Sequence, residues 1–355
     1  MFPIPDAVLD SLPDPVILLD GDRRVLAANR AADELLGGGL VGFNLARALR
    51  HPAALDAVDA VLEGEDDRRE VEVSLPVPVQ RDYRVQVVAV PVQSGGAVRA
   101  VLVLNDTTLA RRAEQMRADF VANVSHELRS PLSALIGIIE TLRGPAADDA
   151  EARDRFLAIM ARESGRMARL IDDLLSLSRV EVNEHILPRA KAPVDRLLRQ
   201  VAELVAERAK GRGMTIRLDL PPDLPAVMGA ADELTQVFQN LIDNSLKYAR
   251  EGSTVQVSAF TVERLPSIDC PGVAVTVADQ GEGIARDDLP RLTERFYRVD
   301  KARSRGAGGT GLGLAIVKHI VNRHRGRLMI SSEVGEGTTV TVLLPVCHKS
   351  VTEQS

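Results

Sequence analysis

Cysteine is scarce: the 355 residues contain two, Cys270 and Cys347, far apart and without a Cys-x-x-Cys spacing. That excludes a disulfide framework, offers no zinc signature, and suits a reducing cytoplasm. No run of about 18 apolar residues occurs, so no segment reads as a membrane span. The opening Met1-Phe2-Pro3-Ile4-Pro5 lacks a basic stretch followed by an apolar one, so it is not a secretory signal. Basic charge is concentrated nowhere, and a net charge of -6 spread along the chain argues against a nucleic-acid or anionic-membrane surface. What remains is an ordinary globular composition, 45% hydrophobic, long enough for two or three domains.

From Pro15 the chain reads strand, turn, strand: Val16-Ile17-Leu18-Leu19, Asp20-Gly21-Asp22, then Val25-Leu26-Ala27-Ala28. A short helix is predicted over Arg30 to Leu36, stopped by the glycines at 37 to 39. Strand-like runs follow at Val71 to Val79, Tyr83 to Val92 and Ala97 to Leu104. This order describes an antiparallel sheet with helices on one side. His51-Pro52 reads as a loop or helix start rather than a haem ligand, and this part of the chain has no cysteine for a flavin adduct. A small-ligand or protein-contact module fits it better.

A long amphipathic segment comes next. Leu109, Ala113, Met116 and Phe120 lead into Val121, Val124, Leu128, Leu132, Leu135, Ile139 and Leu142, whose spacings of three and four make one apolar stripe. A helix that continues unbroken from the preceding domain can carry a rotation or register shift. His126, two places after Val124, points away from the stripe. A solvent-facing neutral imidazole is a fair nucleophile near neutral pH, and it is also what ordinary solvated surface looks like. Glu127 is placed to orient the ring or take its proton. Pro131 lacks an N–H and crowds the carbonyl of Glu127, which predicts a bend one turn past the histidine that keeps the ring accessible.

Gly144-Pro145 ends this helix. A second, over Glu151 to Val180, carries Phe156, Met160, Met167, Leu170, Leu174 and Leu177 on one stripe, interrupted by Glu163. Two amphipathic helices joined by a short loop leave apolar faces that a second copy would cover in a four-helix bundle; packing of the hairpin on another domain is the alternative.

Beyond Pro188, helices over Val194 to Ala209, Asp232 to Ala249 and Gly313 to His324 alternate with strands at Met214 to Leu220, Thr254 to Val262, Val273 to Ala278, Arg327 to Ser332 and Thr338 to Leu344. One layer of helices over a mixed sheet accounts for them. The residues after Val346 are polar and read as a loose tail. Within Asn240 to Tyr248, residues 240, 244 and 247 share a helical face. Two amides and an ammonium there suit phosphates and Mg²⁺, which takes hard oxygen ligands, although a solvated face has the same look.

Asp279-Gln280-Gly281-Glu282-Gly283 ends an apolar strand. An aspartate so placed can accept from an exocyclic adenine amine, and the glycines allow close approach; as a motif alone it is an ordinary turn. Gly306-Ala307-Gly308-Gly309-Thr310-Gly311-Leu312-Gly313-Leu314 opens a helix and can turn consecutive N–H groups toward phosphate oxygens. Gly335-Glu336-Gly337-Thr338 precedes the last strand. A Walker A loop would need Gly-Lys-Ser/Thr, and the glycines of a Rossmann fingerprint would follow the first strand.

The stretch Phe120-Val121-Ala122-Asn123-Val124-Ser125-His126-Glu127-Leu128-Arg129-Ser130-Pro131-Leu132 closely resembles the phosphoacceptor box of sensor histidine kinases, its flanks most like the phosphate-regulon sensor kinases of bacteria. The opening segment resembles a PAS sensor domain. The four stretches beyond Pro188 resemble, in order and spacing, the ATP-binding fold shared by histidine kinases and the gyrase class of ATPases. Glu294-Arg295-Phe296-Tyr297-Arg298 resembles the family's phenylalanine box, and the charged segment from there to Gly309 reads as a mobile lid or a simple surface loop.

The resemblance implies an α+β multidomain chain: a PAS-like antiparallel sheet domain in 1–108, a dimerising helical hairpin in 109–187, an ATP-binding α/β sandwich in 188–346 and a flexible tail in 347–355. Three positions depart from the family pattern. Ser130 stands where threonine is usual, Ser245 where alanine is usual, and Thr293 where an aromatic is common.

The resemblance also implies roles. His126 would be phosphorylated on Nε2, with Glu127 as the assisting base and Arg298 neutralising the transferring phosphoryl group. Ser130 would help place a water that hydrolyses a regulator's phosphoaspartate. Asn244 would be the direct Mg²⁺ ligand, with Asn240 supporting. Lys247 and Tyr248 would contact phosphates or ribose, Asp279 the adenine, and Gly281 and Gly283 the base's surroundings. Gly309, Thr310, Gly311, Leu312 and Gly313 would flank the phosphates. The implied cofactors are ATP and Mg²⁺; the partners are a second copy, a response regulator with a receiver domain and a phosphate-signalling accessory protein, with no nucleic acid. Relatives are often membrane-anchored upstream of the sensor, so the expected place is the cytoplasm, as a soluble sensor or as the soluble part of an anchored one.

Overall fold

The computed structural model describes residues 6–76, 80–91, 97–144, 146, 149–265, 270–299 and 309–346. Cys347 and the polar tail, the expected strand ends at Val77 to Val79 and Val92, and the lid segment 300–308 with Gly306 and Gly308 lie outside the described residues. The chain divides into two units, residues 1–122 and 123–355.

In the first unit, α1 (Asp6–Asp10) precedes β1 (Val16–Leu19), β2 (Val25–Ala28), α2 (Arg30–Leu36), α3 (Pro52–Leu62), β3 (Arg68–Leu75), β4 (Arg81–Ala89) and β5 (Ala100–Asp106). The strands pair antiparallel in the order β2-β1-β5-β4-β3. Asn29 caps α2: its Oδ1 accepts from Ala32 N at 3.0 Å and from Val16 N at 2.9 Å, while its amide donates to Asp14 O at 2.8 Å. The side chain is fully buried, and these bonds satisfy it. Gly37 ends α2 in the left-handed region, at φ 98°.

Helix α3 goes beyond the sequence expectation. Pro52 opens it at the first turn, and Ala54, Ala57, Val58 and Val61 pack it into the core formed with Ile17, Val85, Leu102 and Leu104. Strand β3 begins at Arg68 rather than Val71. Its first residues are charged, yet their backbone already pairs with β4 from Arg68 opposite Val88.

Helix α4 (Thr108–Arg143) starts where Asp106 Oδ1 accepts from Thr108 N at 2.9 Å and the Thr108 hydroxyl accepts from Asp82 N at 2.9 Å. It runs 36 residues without interruption, carrying Pro131 inside it. Helix α5 (Ala150–Val182) is capped by Asp149, whose Oδ1 accepts from Ala152 N at 2.9 Å. The predicted stripe on α5 is its buried side: Leu170 and Leu177 are buried, and Phe156, Met160, Met167 and Leu174 half-buried. Leu132, Ile136 and Ile139 of α4 stay largely exposed.

The rest of the second unit comprises β6 (Lys191–Ala192), α6 (Val194–Gly211), β7 (Thr215–Asp219), β8 (Val227–Met228), α7 (Ala231–Tyr248), β9 (Thr254–Val262), β10 (Gly272–Asp279), α8 (Gly313–Arg323), β11 (Arg327–Glu333) and β12 (Gly337–Pro345). A five-stranded sheet runs β11-β12-β10-β9-β7, antiparallel except for the parallel pair β7 and β9, and β6 pairs with β8. Apolar stripes bury each helix: Val201 and Val205 of α6, Val237, Phe238 and Leu241 of α7, Ile316 and Ile320 of α8. The sandwich core aligns α7 and α8 so that polar faces remain beside the ends of β10 and β12. Among the described residues, no helix is long and apolar enough to cross a membrane.

Candidate nucleotide and phosphoacceptor site

Burial of Leu234, Val237, Phe238, Leu241 and Ile242 rotates α7 so that Asn240, Asn244 and Lys247 stay half-buried on another side. Asn240 Nδ2 lies 3.5 Å from the carbonyl of Gly313, which brings α7 against the start of α8. Gly309 sits on Lys247: a Cβ there would run into Nζ and stand 3.6 Å from the Tyr248 hydroxyl. The ammonium lies 4.8 Å from the centroid of the Tyr248 ring. Among the described residues no three His, Cys, Asp or Glu side chains gather as a metal site.

Asp279 ends β10 opposite Thr338 of β12. Its Oδ1 accepts from Gly281 N at 2.9 Å and its Oδ2 from Ser245 Oγ at 3.3 Å. Burial holds the carboxyl above its ordinary range, and the N–H groups of Gly281 and Thr338 and the Ser245 hydroxyl pull it back down. The glycines around it are required by backbone meeting backbone. Gly283 has φ 71°, and a Cβ there would strike the Glu333 carbonyl. Gly335 N donates to Glu282 O at 2.7 Å, which closes the two loops on each other.

Gly311, at φ 77°, accepts at its carbonyl from Phe296 N at 2.9 Å, and a Cβ on it would lie 2.9 Å from Phe296 Cα. Phe296 itself has φ 64°, a conformation that a bulky residue adopts only where its surroundings enforce it. The phenylalanine box and the glycine-rich loop are thus one structure. Leu312 is fully buried at the start of α8. Thr310 Oγ1 accepts from Leu312 N at 3.3 Å and donates to Asp173 Oδ2 of α5 at 2.7 Å. Burial raises the Asp173 carboxyl above its usual range, against the bond from Thr310.

His126 and Ser130 are exposed on α4. Glu127, between them, is 26% exposed, and its Oε2 accepts from two guanidinium groups: Arg166 Nη2 of α5 at 2.6 Å and Arg298 Nη2 at 3.2 Å. Arg298 is only 6% exposed, and its buried Nε has no hydrogen-bond partner among the described residues. Other bonds fasten α5 and the turn after it to the nucleotide-binding part: Ser176 Oγ donates to Gln236 Oε1 at 2.8 Å, Arg295 pairs with Glu181, and His319 Nδ1 lies 3.3 Å from Glu184, just beyond the helix.

Of the expected residues, Asn240, Asn244, Lys247 and Tyr248 lie along α7, Asp279, Gly281 and Gly283 at and just after the end of β10, and Gly309, Gly311, Leu312 and Gly313 just before and at the start of α8; Arg298 instead meets Glu127, and Thr310 meets α5. Sequence reasoning missed Arg166, Asp173 and Glu181, which look like the solvated side of an amphipathic helix. No local signal distinguishes them, because their partners lie in distant parts of the chain.

Three family models match the chain. They are the PAS fold over residues 9–112, the His Kinase A (phospho-acceptor) domain over 116–183, and the histidine kinase-, DNA gyrase B- and HSP90-like ATPase over 229–348. Phosphate regulon sensor protein PhoR of Pseudomonas aeruginosa is 38% identical over 344 residues, covering 95% of this chain and 72% of that protein. Sensor protein kinase WalK of Staphylococcus aureus is 32% identical over 343 residues, covering 96% of this chain and 80% of that protein. Among solved structures, histidine kinase ThkA in complex with response regulator protein TrrA shares the fold, with a TM-score of 0.52 at 19% identity over 96% of this chain and 98% of that one.

Proposed function

Because the chain belongs to the sensor histidine kinase family, we propose that His126 is the residue it phosphorylates from ATP, on Nε2, before passing the phosphoryl group to an aspartate of a response regulator. The observation that carries this reading is the ion pair at 3.2 Å between Arg298 of the phenylalanine box and Glu127, the residue that follows the exposed histidine. It joins the nucleotide-binding part to the helix at the histidine's own level.

Bound ATP with Mg²⁺ supplies the phosphoryl group and spreads its charge. Asn244, supported by Asn240, would hold the cation, and Lys247 and Tyr248 would meet phosphates or ribose. Asp279 would accept from the adenine amine, beside Gly281 and Gly283, while Gly309 to Gly313 flank the phosphates. The steric demands at Gly283, Gly309 and Gly311 support a close-fitting backbone there. Glu127 orients the His126 ring and takes its proton, and Arg298 neutralises negative charge once it leaves Glu127. Ser130, one turn beyond His126, would place the water that hydrolyses the regulator's phosphoaspartate.

Exposed Leu132, Ile136 and Ile139 on α4, with Leu157, Ile171 and Leu175 on α5, support pairing of the hairpin with a second copy. We divide the chain at 108, 187 and 346 into sensor, phosphotransfer and catalytic parts plus a tail. The phosphate-regulon relative supports a role in phosphate-starvation signalling on the cytoplasmic side, with an accessory protein reporting phosphate.

The test is incubation of the purified chain with γ-labelled ATP and Mg²⁺. The expected label is lost in acid, survives base, disappears on chelation of the cation, and is absent from His126→Gln. A scaffold that only binds ATP predicts no label, and a serine kinase predicts an acid-stable one; either result overturns the proposal.

A further inference from the structure

Ser245 lies on α7 next to Asn244, with 4% of its surface exposed. A buried hydroxyl needs a partner, and this one donates to Asp279 Oδ2 at 3.3 Å. The direction of the bond is settled by chemistry, since an ionised carboxylate only accepts. Oδ1 already takes Gly281 N at 2.9 Å, and the N–H of Thr338 also reaches the carboxylate. A carboxylate offers about four acceptor directions, so these three donors leave roughly one for a ligand. Gly281 and Thr338 belong to the sheet end and its loop; Ser245 alone of the three stands on the helix that carries Asn240, Asn244 and Lys247.

We propose that Ser245 is a positioning residue for nucleotide recognition, holding the Asp279 carboxylate so that its remaining acceptor direction meets the 6-amine of adenine and tying base selection to the phosphate-binding face of α7. The inference rests on the reading of Asp279 as the adenine contact. An acceptor fixed in this way favours a base that donates at that position and repels one that presents a carbonyl, so it selects adenine over guanine. The hydroxyl also stabilises the charged form of Asp279, which opposes the effect of its burial.

The experiment measures binding to the full chain with Mg²⁺ present, using ATP and purine riboside triphosphate, which lacks the 6-amine, on wild type, Ser245→Ala and Asp279→Asn. For Ser245→Ala the expected loss of ATP affinity is about five- to tenfold, the scale of one ordinary net hydrogen bond, since the bond acts on ATP only through Asp279. Affinity for the amine-free analogue should change by less than about twofold on the same argument. The KM for ATP in autophosphorylation should rise with kcat unchanged. Without the hydroxyl the carboxyl is harder to ionise, so ATP binding should fail at a higher pH than in wild type. If Asp279→Asn binds ATP like wild type, the adenine reading itself is wrong. If Asp279→Asn loses ATP while Ser245→Ala keeps wild-type affinity and pH profile, or loses both nucleotides equally, the positioning role is overturned and the adenine reading stands.

Discussion

Glu127 is held by two guanidinium groups on a single oxygen, and the strength of its pairing with Arg298 can be worked from the geometry. Coulomb's law at 3.2 Å with an effective dielectric constant of ~20 gives about 5 kcal/mol of attraction. Three effects reduce it: Arg298, 6% exposed, has lost most of its hydration, Arg166 competes for the same Oε2 at 2.6 Å, and Glu127 still meets solvent over 26% of its side chain. A net coupling of about 1–3 kcal/mol remains.

A double-mutant cycle of Glu127→Gln, which keeps the shape of the side chain, and Arg298→Gln, which removes the guanidinium, isolates that coupling through denaturant unfolding of the full chain. Glu127→Gln should be the costlier single change, at about 3 kcal/mol, because it takes the shared carboxylate from two nearly buried cations and, among the described residues, leaves Arg166 only Glu163, at 3.8 Å. The double variant should lose less than the two singles together. Repeating the cycle at saturating Mg-ATP should shrink the coupling, since a triphosphate competes with Glu127 for Arg298. Additivity within about 0.5 kcal/mol without nucleotide would refute the pairing as a source of cohesion.

Other expectations concern separate parts of the site. Ser130→Ala should slow dephosphorylation of the regulator at least about tenfold while His126 labelling persists, since loss of one positioned hydroxyl removes a transition-state contact; an unchanged phosphatase rate would count against the water-placing role. Gly283→Ala puts a Cβ against the Glu333 carbonyl at φ 71° and should destabilise the nucleotide-binding part by about 3 kcal/mol or more, read as a lowered melting temperature and lost ATP binding. A melting temperature equal to wild type would show that the two loops can part. Burial raises the folded-state pKa of Asp173, so its contribution to stability is complete below the ordinary carboxylate range and is lost as pH rises through the raised value. Asp173→Asn keeps an acceptor for Thr310 but cannot ionise. Its melting temperature should gain on wild type as pH climbs from about 4 to 7, whereas a difference independent of pH would contradict the assignment.

Much of the fold was legible in the sequence because its signals are local. The helix over Arg30–Leu36 has its cap at Asn29 and its stop at Gly37 within nine residues, and the strand Thr254–Val262 announces itself by β-branched alternation. Of helix α3 only a start at His51-Pro52 was legible, because its inner face of Ala54, Ala57, Val58 and Val61 has helical spacing but is built of small residues that the sheet beneath them turns into core. The first residues of β3 were hidden for another reason: Arg68, Arg69 and Glu70 look like loop until their backbone finds β4. Pro131 sits inside α4 without ending it.

The candidate site divides along the same line. Histidine, amides, aspartate and glycines could be named from the chain alone, since each is a chemical type at a characteristic place on a helix face, strand end or turn. The pairing of Glu127 with Arg298, 171 residues further on, and of Asp173 with Thr310, 137 residues further on, was decided by folding. Periodicity reports which side of a helix is apolar, but a bond between distant side chains exists only after the cores of two layers have set their distance and rotation, and that information is held by the packing as a whole.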